Sequence, residues 1–156
     1  MSSTREYKPP FGGTTEVRPK TWPGPVDRTP RPTTMKRILI IDDEEDIRVM
    51  LQHMLGREGY QTVTASEGRE GLTHQRQAPA DLIITDLMMP GQEGLETIME
   101  IRRLYPNTKI IAMSGGGQGG VLDFLPIAVQ LGAARAMAKP FTHDELLSAV
   151  KEVLGS

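Results

Sequence analysis

The sequence contains no cysteine, which excludes a disulfide framework, a thiolate metal site and a cysteine nucleophile. It also lacks any apolar run that approaches the roughly 20 residues of a membrane span, and its N-terminus lacks the hydrophobic core of a secretory signal. The formal net charge of -2 leaves no large excess of either sign that would indicate a nucleic-acid or membrane partner. For a chain of 156 residues, we therefore expect one soluble, cytoplasmic domain that carries a tail.

The first 34 residues differ in composition from the rest of the chain. They contain seven of the twelve prolines, six basic residues and three acidic ones, and very few aliphatic side chains. Such a segment cannot bury enough apolar surface to offset the entropy of ordering it. We therefore predict a disordered, proline-rich extension over residues 1–35 and an ordered domain over residues 36–156. Two alternatives stay open: a polyproline docking arm anchored by Trp22, and a true start at Met35.

Beyond the tail, five short apolar runs alternate with five stretches of helical periodicity. In the first helical stretch, Leu51 and Leu55 share one face with Ile47 and Met54. Continuous apolar strands that alternate with helices are typical of a parallel sheet covered on both faces, so we predict a doubly wound α/β fold. The predicted strands are KRILII (36–41), YQTVTA (60–65), LIIT (82–85), TKIIAM (108–113) and RAMAK (135–139).

Local signals predict where several helices begin and end. Gly59 is expected to end the first helix, and Thr142 forms a capping box with Glu145 at the start of the last one. Pro126 lacks the N–H that a helix interior needs, so the fourth helix is expected to begin late, with Asp123 as its N-cap. Methionines are predicted to fill the core rather than to bind a ligand, at positions 50, 54, 88, 89, 99, 113 and 137.

Polar side chains stand at the carboxyl ends of four of these strands. The first strand is followed by Asp42 and Asp43, the third by Asp86, the fourth by Ser114, and the fifth ends at Lys139. In an open parallel sheet these ends meet at one rim, which is where ligands bind. Converging carboxylates repel one another unless a cation lies among them, and oxygen ligands suit Mg²⁺. A nearby hydroxyl and ammonium could hold a phosphate, which would place the third strand's carboxylate for attack on phosphorus.

Taken singly, each of these residues has a simpler structural interpretation. Asp42 and Asp43 could be acids favoured by the dipole of the following helix, and Lys139 could be a solvated surface lysine. Chance does not place all of them at one rim, which favours the functional interpretation. Glu44 and Glu45 are interpreted only as first-turn acids of the first helix.

Four longer segments contain the rim residues in a fixed order: ILIIDDEEDIR, DLIITDLMMPGQEGLE, IIAMSG and AKPF. In order and spacing they resemble the receiver domain of two-component response regulators. The resemblance covers residues 36–154 and implies a flavodoxin-like, CheY-like sheet with the strand order 2-1-3-4-5.

The resemblance also implies how phosphoryl transfer would work. Asp86 would accept a phosphoryl group from the phosphohistidine of a histidine kinase or of a phosphotransfer protein. Mg²⁺ would be bound by Asp43 directly, by Asp42 mainly through a water molecule, by Asp86, and by the backbone carbonyl of Met88. The chain would then be a regulator that phosphorylates and dephosphorylates itself, rather than a turnover enzyme.

Three further positions match the family pattern, and one departs from it. Ser114 resembles the switch hydroxyl that bonds to the phosphoryl group, Lys139 resembles the lysine that pairs with it, and Pro140 would follow a cis peptide. Ala136 stands where the family usually has an aromatic residue, three positions before the lysine. That half of the switch is therefore absent or replaced. Partners of the family bind the face formed by the fourth helix, the fifth strand and the fifth helix.

The sequence ends directly after the last predicted helix, so we expect a stand-alone regulator that signals by phosphorylation-dependent contact with another protein. We expect a monomer or weak homodimer with no direct nucleic-acid or membrane partner. The alternative is a receiver-like binding module whose output does not depend on phosphorylation, and Ala136 is the residue that suggests it.

Two rival functions fit less well. Gly115, Gly117 and Gly120 satisfy the dinucleotide-binding pattern G-x-G-x-x-G, but the next strand ends at Lys139 where that fingerprint needs an acid. A metal-dependent phosphatase on a similar sheet would need a second acid two residues after Asp86, and Met88 stands there.

Overall fold

A computed structural model describes residues 35–87, 93–115 and 124–155. In these ranges five strands alternate with five helices, as the apolar periodicity predicts. In chain order they are β1 (Arg37–Ile41), α1 (Glu45–Arg57), β2 (Gln61–Ala65), α2 (Gly68–Gln77), β3 (Leu82–Asp86), α3 (Glu93–Leu104), β4 (Lys109–Ser114), α4 (Phe124–Gln130), β5 (Arg135–Ala138) and α5 (His143–Leu154). Trp22 and the predicted extension before Met35 lie outside the described residues, and the boundary at residue 35 stays a prediction.

The five strands form one parallel sheet in the order β2-β1-β3-β4-β5. The doubly wound, flavodoxin-like fold and its strand order are therefore confirmed. The direction of winding reverses between β1 and β3, which is the topological switch point where open α/β sheets bind ligands. Ile41 of β1 is in register with Thr85 of β3. The next residues, Asp42 and Asp86, therefore leave the two strands at the same height.

Apolar side chains on opposite faces of the sheet form two separate cores. Ile38 and Ile40 face the cluster covered by α1 and α5, whereas Leu39 and Ile41 face the cluster covered by α2, α3 and α4. This alternation explains the continuous apolar runs 38–41, 82–84 and 110–113 in the central strands, since both faces of these strands are buried. Each fully buried Leu or Ile stabilises the fold by about 1.5–3 kcal/mol relative to an exposed position.

The helix ends follow the predicted signals where the structure describes them. Thr142 caps α5, because its hydroxyl accepts the N–H of Glu145 at 3.0 Å and the Glu145 carboxylate accepts the N–H of Thr142 at 2.8 Å. Gly59 has a φ of 94° just after α1 ends, which is a conformation that a glycine adopts without a Cβ clash. Pro126 lies in the first turn of α4, as predicted, while Asp123 is outside the described residues.

The prediction that methionines fill the core is correct for some positions and wrong for others. Met113 and Met137 are buried, and Met54 packs partly against the first core. Met50 and Met99, however, are 39% and 54% exposed. Each directly adjoins a buried residue in its helix, and one step along a helix turns a side chain by about 100° away from the buried face.

A buried amide joins α2 to the segments that precede β3 and β4, at the end of the sheet away from the predicted site. The Gln75 Nε2 donates to Thr108 Oγ1 at 3.0 Å, and its Oε1 accepts the N–H of Ala80 at 2.9 Å. All three residues are buried, so this side chain satisfies polar groups that water does not reach. Within the described residues, no helix has both the length and the apolar character needed to cross a membrane.

Candidate functional site

Three carboxylates converge at the rim formed by the carboxyl ends of the strands. Asp42, Asp43 and Asp86 each offer an oxygen, and these oxygens lie within 4.8 Å of one another. Asp42 and Asp86 are buried, whereas Asp43 is exposed. The convergence follows from the sheet, because β1 and β3 are neighbours that end at the same height. The expected meeting of these acids at one rim is therefore what the fold produces.

Asp42 also directs the chain from β1 into α1. Its Oδ1 accepts the backbone N–H of Glu44 at 2.8 Å, which closes a tight turn just before the helix. Its own N–H donates to the carbonyl of Ala65 at 3.1 Å, and its carbonyl accepts from the guanidinium of Arg48 at 2.8 Å. The bonds to its N–H and to its carbonyl hold the Asp42 backbone in place, and this fixes the position of the buried carboxylate. Arg48 has no assigned role in the sequence interpretation, since a lone arginine in a helix gives no signal of such a contact.

Lys139 brings a positive charge into this group of acids from the end of β5. Its Nζ donates to Asp42 Oδ2 at 2.9 Å and lies 3.7 Å from Asp86 Oδ2 and 3.8 Å from Glu44 Oε1. Only 13% of the lysine side chain is exposed. Burial by itself lowers the pKa of Lys139, but the hydrogen bond to Asp42 and the charges of Asp86, Asp42 and Glu44 outweigh it and leave the pKa raised. The group is therefore a stable ammonium at neutral pH.

Ser114 lies between the acids and the lysine. It ends β4, is buried, and its carbonyl accepts the backbone N–H of Lys139 at 2.8 Å. The register places Met113 opposite Asp86 and Ser114 opposite Ala138. The serine is thus one position beyond the acid of β3 and one before the lysine of β5. The predicted cis peptide between Lys139 and Pro140 is confirmed.

Gly94 supports Asp86 from the first turn of α3, a role that the sequence interpretation did not assign. A Cβ at this position would lie 2.4 Å from the carbonyl oxygen of Asp86 and 2.5 Å from the Cα of Leu87. Only glycine lets the helix approach the backbone of β3 so closely. The available signal was a glycine at a buried helical position, where it costs roughly 0.5–1 kcal/mol relative to alanine.

Some predicted residues cannot be placed relative to this site. Met88, whose backbone carbonyl was expected as a metal ligand, lies outside the described residues, as do Gly117 and Gly120 of the glycine-rich segment. Gly115 is described, and a Cβ built on it would meet nothing within 4 Å. Ala136 is half-buried and packs against the core beneath α4.

The donor set fits a small divalent cation. Carboxylate oxygens are the ligands that Mg²⁺ prefers, and one exposed carboxylate leaves room for the water molecules that this ion retains. The three acids carry more negative charge than the single ammonium of Lys139 balances, so an added cation would relieve their repulsion.

Comparisons with known proteins agree with this geometry. The family described as "Response regulator receiver domain" matches residues 38–151. The chain is 35% identical to sporulation initiation phosphotransferase F of Bacillus subtilis (strain 168) over 119 residues, which is 76% of this chain and 94% of that protein. It is 33% identical to chemotaxis protein CheY of Thermotoga maritima over 119 residues, 76% of this chain and 97% of that protein.

Among solved structures, the receiver domain of NtrX from Brucella abortus is similar with a TM-score of 0.71 and 29% identity, covering 76% of this chain and 98% of that one. The family match begins at the second residue of β1 and ends within α5, so it includes the carboxyl ends of β1, β3, β4 and β5. The chain belongs to the receiver domain family of two-component response regulators.

Proposed function

We propose that this protein is a single-domain response regulator that accepts a phosphoryl group on Asp86 in a Mg²⁺-dependent reaction. The donor would be the phosphohistidine of a histidine kinase or of a phosphotransfer protein. The observation that carries the proposal is the position of the Asp86 carboxylate, which is buried, belongs to the group of three converging acids, and lies 3.7 Å from the ammonium of Lys139.

Asp86 would act as the nucleophile. As its carboxylate oxygen forms a bond to phosphorus, the phosphorus–nitrogen bond of the donor breaks, and the imidazole nitrogen keeps the electron pair of that bond. A carboxylate is a weak nucleophile, so the rate depends on holding it in line with the phosphorus and on neutralising the phosphoryl oxygens. The contact of Gly94 with the Asp86 backbone fixes the position of the nucleophile.

The acids would bind the metal ion. We assign direct coordination to Asp43 and Asp86, water-mediated coordination to Asp42, and one further ligand to the backbone carbonyl of Met88. When bound, Mg²⁺ supplies charge neutralisation for the phosphoryl oxygens. The exposed position of Asp43 supports its part, because a ligand at the mouth of the site can bind a hydrated ion from solvent.

Lys139 and Ser114 would stabilise the phosphorylated form. The ammonium is close enough to Asp86 to pair with a phosphoryl oxygen after a small movement, since it now lies 3.7 Å from the carboxylate. The Ser114 hydroxyl would donate a hydrogen bond to the same group. The backbone bond from the Lys139 N–H to the Ser114 carbonyl holds the two residues together at the ends of neighbouring strands.

Output would occur through phosphorylation-dependent contact with another protein on the face of α4, β5 and α5. The chain covers 94% and 97% of two relatives, a phosphotransferase and a chemotaxis protein, which supports a regulator of this size. We propose that it acts in the cytoplasm. We propose a monomer or weak homodimer that binds neither nucleic acid nor membranes directly.

The test is the intact mass of the protein after incubation with acetyl phosphate, with and without Mg²⁺. The wild type should gain one phosphoryl group only with Mg²⁺, and Asp86→Asn should gain none. Asp81→Asn is the matched control, because Asp81 lies at the opposite end of the same strand and its acceptor bond to the N–H of Arg37, 2.8 Å long, survives in asparagine. This control should be phosphorylated like the wild type.

The second candidate function is a receiver-like binding module whose output does not depend on phosphorylation. Ala136 favours it, because a methyl group cannot swing between two positions as an aromatic ring does. No mass gain under any condition, in a protein that binds Mg²⁺ normally, would support this second function and overturn the first.

A further inference from the structure

Glu44 contacts the site, although the sequence interpretation assigned it only to the first turn of a helix. It occupies the N-cap position of α1, and within the described residues its carboxylate makes no capping bond to that helix. Instead its Oε1 lies 3.8 Å from the Lys139 Nζ, and 64% of its side chain is exposed. The carboxylate therefore lies on the solvent side of the lysine, whereas Asp42 and Asp86 lie on the buried side.

We infer that Glu44 is a positioning residue that holds Lys139 toward solvent, strengthens the binding of divalent cations and disfavours small anionic phosphodonors. Its effect on cations depends only on the described geometry. Its effect on donors rests on the proposed function of Asp86. Glu44 would thus determine which donors the same site accepts readily.

The position of the ammonium supports the claim that Glu44 holds Lys139 toward solvent. The Lys139 Nζ donates a hydrogen bond to Asp42 at 2.9 Å, while carboxylate oxygens of Asp86 and Glu44 lie at nearly equal distances of 3.7 and 3.8 Å. The lysine is therefore balanced between an inner and an outer carboxylate. Removing the outer charge should shift it inward, where it competes more strongly with a cation for Asp42 Oδ2.

The number of negative charges at the site supports the claimed effects on cations and on anionic donors. The three converging acids are Asp42, Asp43 and Asp86, and Glu44 adds a further negative charge that is not part of this group. An extra charge at the mouth of the site attracts a cation and repels an anion. Because the side chain is largely solvated, the effect should be roughly two- to fivefold in an equilibrium or rate constant.

The first experiment measures the dissociation constant of Mg²⁺ by titration calorimetry for the wild type, Glu44→Gln and Glu45→Gln. Glu45 is the matched control, since it is the adjacent acid, lies in the first turn of α1 and is exposed. We expect Glu44→Gln to weaken binding about two- to fivefold relative to Glu45→Gln. Equal dissociation constants in the two variants would overturn the inference. No phosphorylation enters this measurement, so it decides the inference even if Asp86 accepts no phosphoryl group.

The second experiment measures the rate of mass gain at saturating Mg²⁺ with two small donors, acetyl phosphate and the less highly charged phosphoramidate. Glu44→Gln should react roughly two- to fivefold faster with acetyl phosphate, with a smaller gain for phosphoramidate, whereas Glu45→Gln should leave both rates near the wild type. A slower rate in Glu44→Gln, or an equal gain for both donors, would overturn the inference. A wild type that reacts with neither donor would overturn the proposed function instead, and the titration alone would then decide the role of Glu44.

Discussion

Lys139 and Asp42 are 97 positions apart in the chain and are joined by a hydrogen bond of 2.9 Å between Nζ and Oδ2. The bond connects the end of β5, at one edge of the sheet, with the end of β1, and two strands, β3 and β4, lie between them. It therefore spans the ends of β3 and β4, where Asp86 and Ser114 lie. A single side chain thus links the strand ends that make up the site.

Replacing this lysine should destabilise the protein, because Asp42 and Asp86 would lose a nearby positive charge. We expect Lys139→Met to lower the free energy of unfolding by about 1–3 kcal/mol in metal-free buffer, less than for a fully buried pair because some solvent reaches the group. Excess Mg²⁺ should reduce the difference in unfolding free energy between the wild type and Lys139→Met, since the bound cation would replace the charge of the ammonium. Urea unfolding measures this difference without and with Mg²⁺. Lys151→Met, at an exposed position in the last turn of α5, is the control and should change stability little. A loss that Mg²⁺ leaves unchanged would show that the lysine stem, rather than its charge, stabilises the fold.

Gly94 should tolerate no side chain. The Cβ of Gly94→Ala would lie 2.4 Å from a backbone oxygen, which cannot move aside as a flexible side chain can, so we expect a loss of about 1–3 kcal/mol despite the better helix propensity of alanine. Gly56→Ala in α1 is the matched control, because a Cβ there meets nothing within 4 Å. That change should stabilise the protein by about 0.5 kcal/mol. The two substitutions should therefore shift the urea midpoint in opposite directions, and a shift in the same direction would contradict the close contact.

The buried amide of Gln75 should be needed for stability. Gln75→Met removes the bonds to Thr108 and Ala80 and leaves buried polar groups without those partners, at a cost of about 1–3 kcal/mol. Gln77→Met, at the exposed end of α2, should cost less than 0.5 kcal/mol, as surface substitutions usually do. Combining Gln75→Met with Thr108→Val should cost less than the sum of the single changes, because both remove the same bond. Full additivity would show that the bond contributes nothing.

Glu70 should make the stability of α2 depend on pH in the acid range. The backbone N–H of Ser66 bonds to its carboxylate at 2.8 Å and is the largest cause of a pKa below the ordinary 4.5; slight burial opposes it, while the Ser66 hydroxyl and His74 add to it. Since the folded pKa is the lower one, the carboxylate stabilises the fold above pH 4.5, and this contribution is lost as the pH falls through the folded pKa.

A carbon-detected NMR titration of Glu70 tests this expectation. Ser66→Ala removes the hydroxyl donor at 3.0 Å but keeps the backbone donor, so the pKa should rise only partway toward its ordinary value. His74→Ala should raise it as well, through the lost charge 3.7 Å away. A complete return to the ordinary pKa in Ser66→Ala would assign the effect to the hydroxyl alone and contradict the order of causes given above.

The sequence predicted most of the architecture because its strongest signals are local. Strand runs such as 36–41 and the spacing of Leu51 and Leu55 depend only on neighbouring residues, and so does the capping box at Thr142. The strand order could be predicted only through the family resemblance, since periodicity does not determine which strands are adjacent. Met99 was misplaced because an apolar residue beside a buried one satisfies the pattern whether or not it faces the core.

The rim residues were predictable as a set because they follow strands whose carboxyl ends share one edge. The contacts of Glu44 and Gly94 were not predictable in the same way. Glu44 reaches Lys139 only after the chain has turned at Asp42, and Gly94 matters because of the distance between a helix and a strand backbone. Both contacts depend on how closely separate elements of the fold approach each other, and the spacing of residues in the sequence does not give that distance.

The pairing register of β3 with its neighbours has a consequence for how the site can be lost. Ile83 and Ile84 face different cores, so a slip of one residue along the strand would turn each of them, and Asp86 with them, to the opposite face. Such a slip would move buried apolar side chains out of both cores, and the lost packing opposes it. The direction of the aspartate is in this way coupled to the packing of apolar residues elsewhere in its strand, and a pairing error that misdirects the carboxylate would also disrupt both cores.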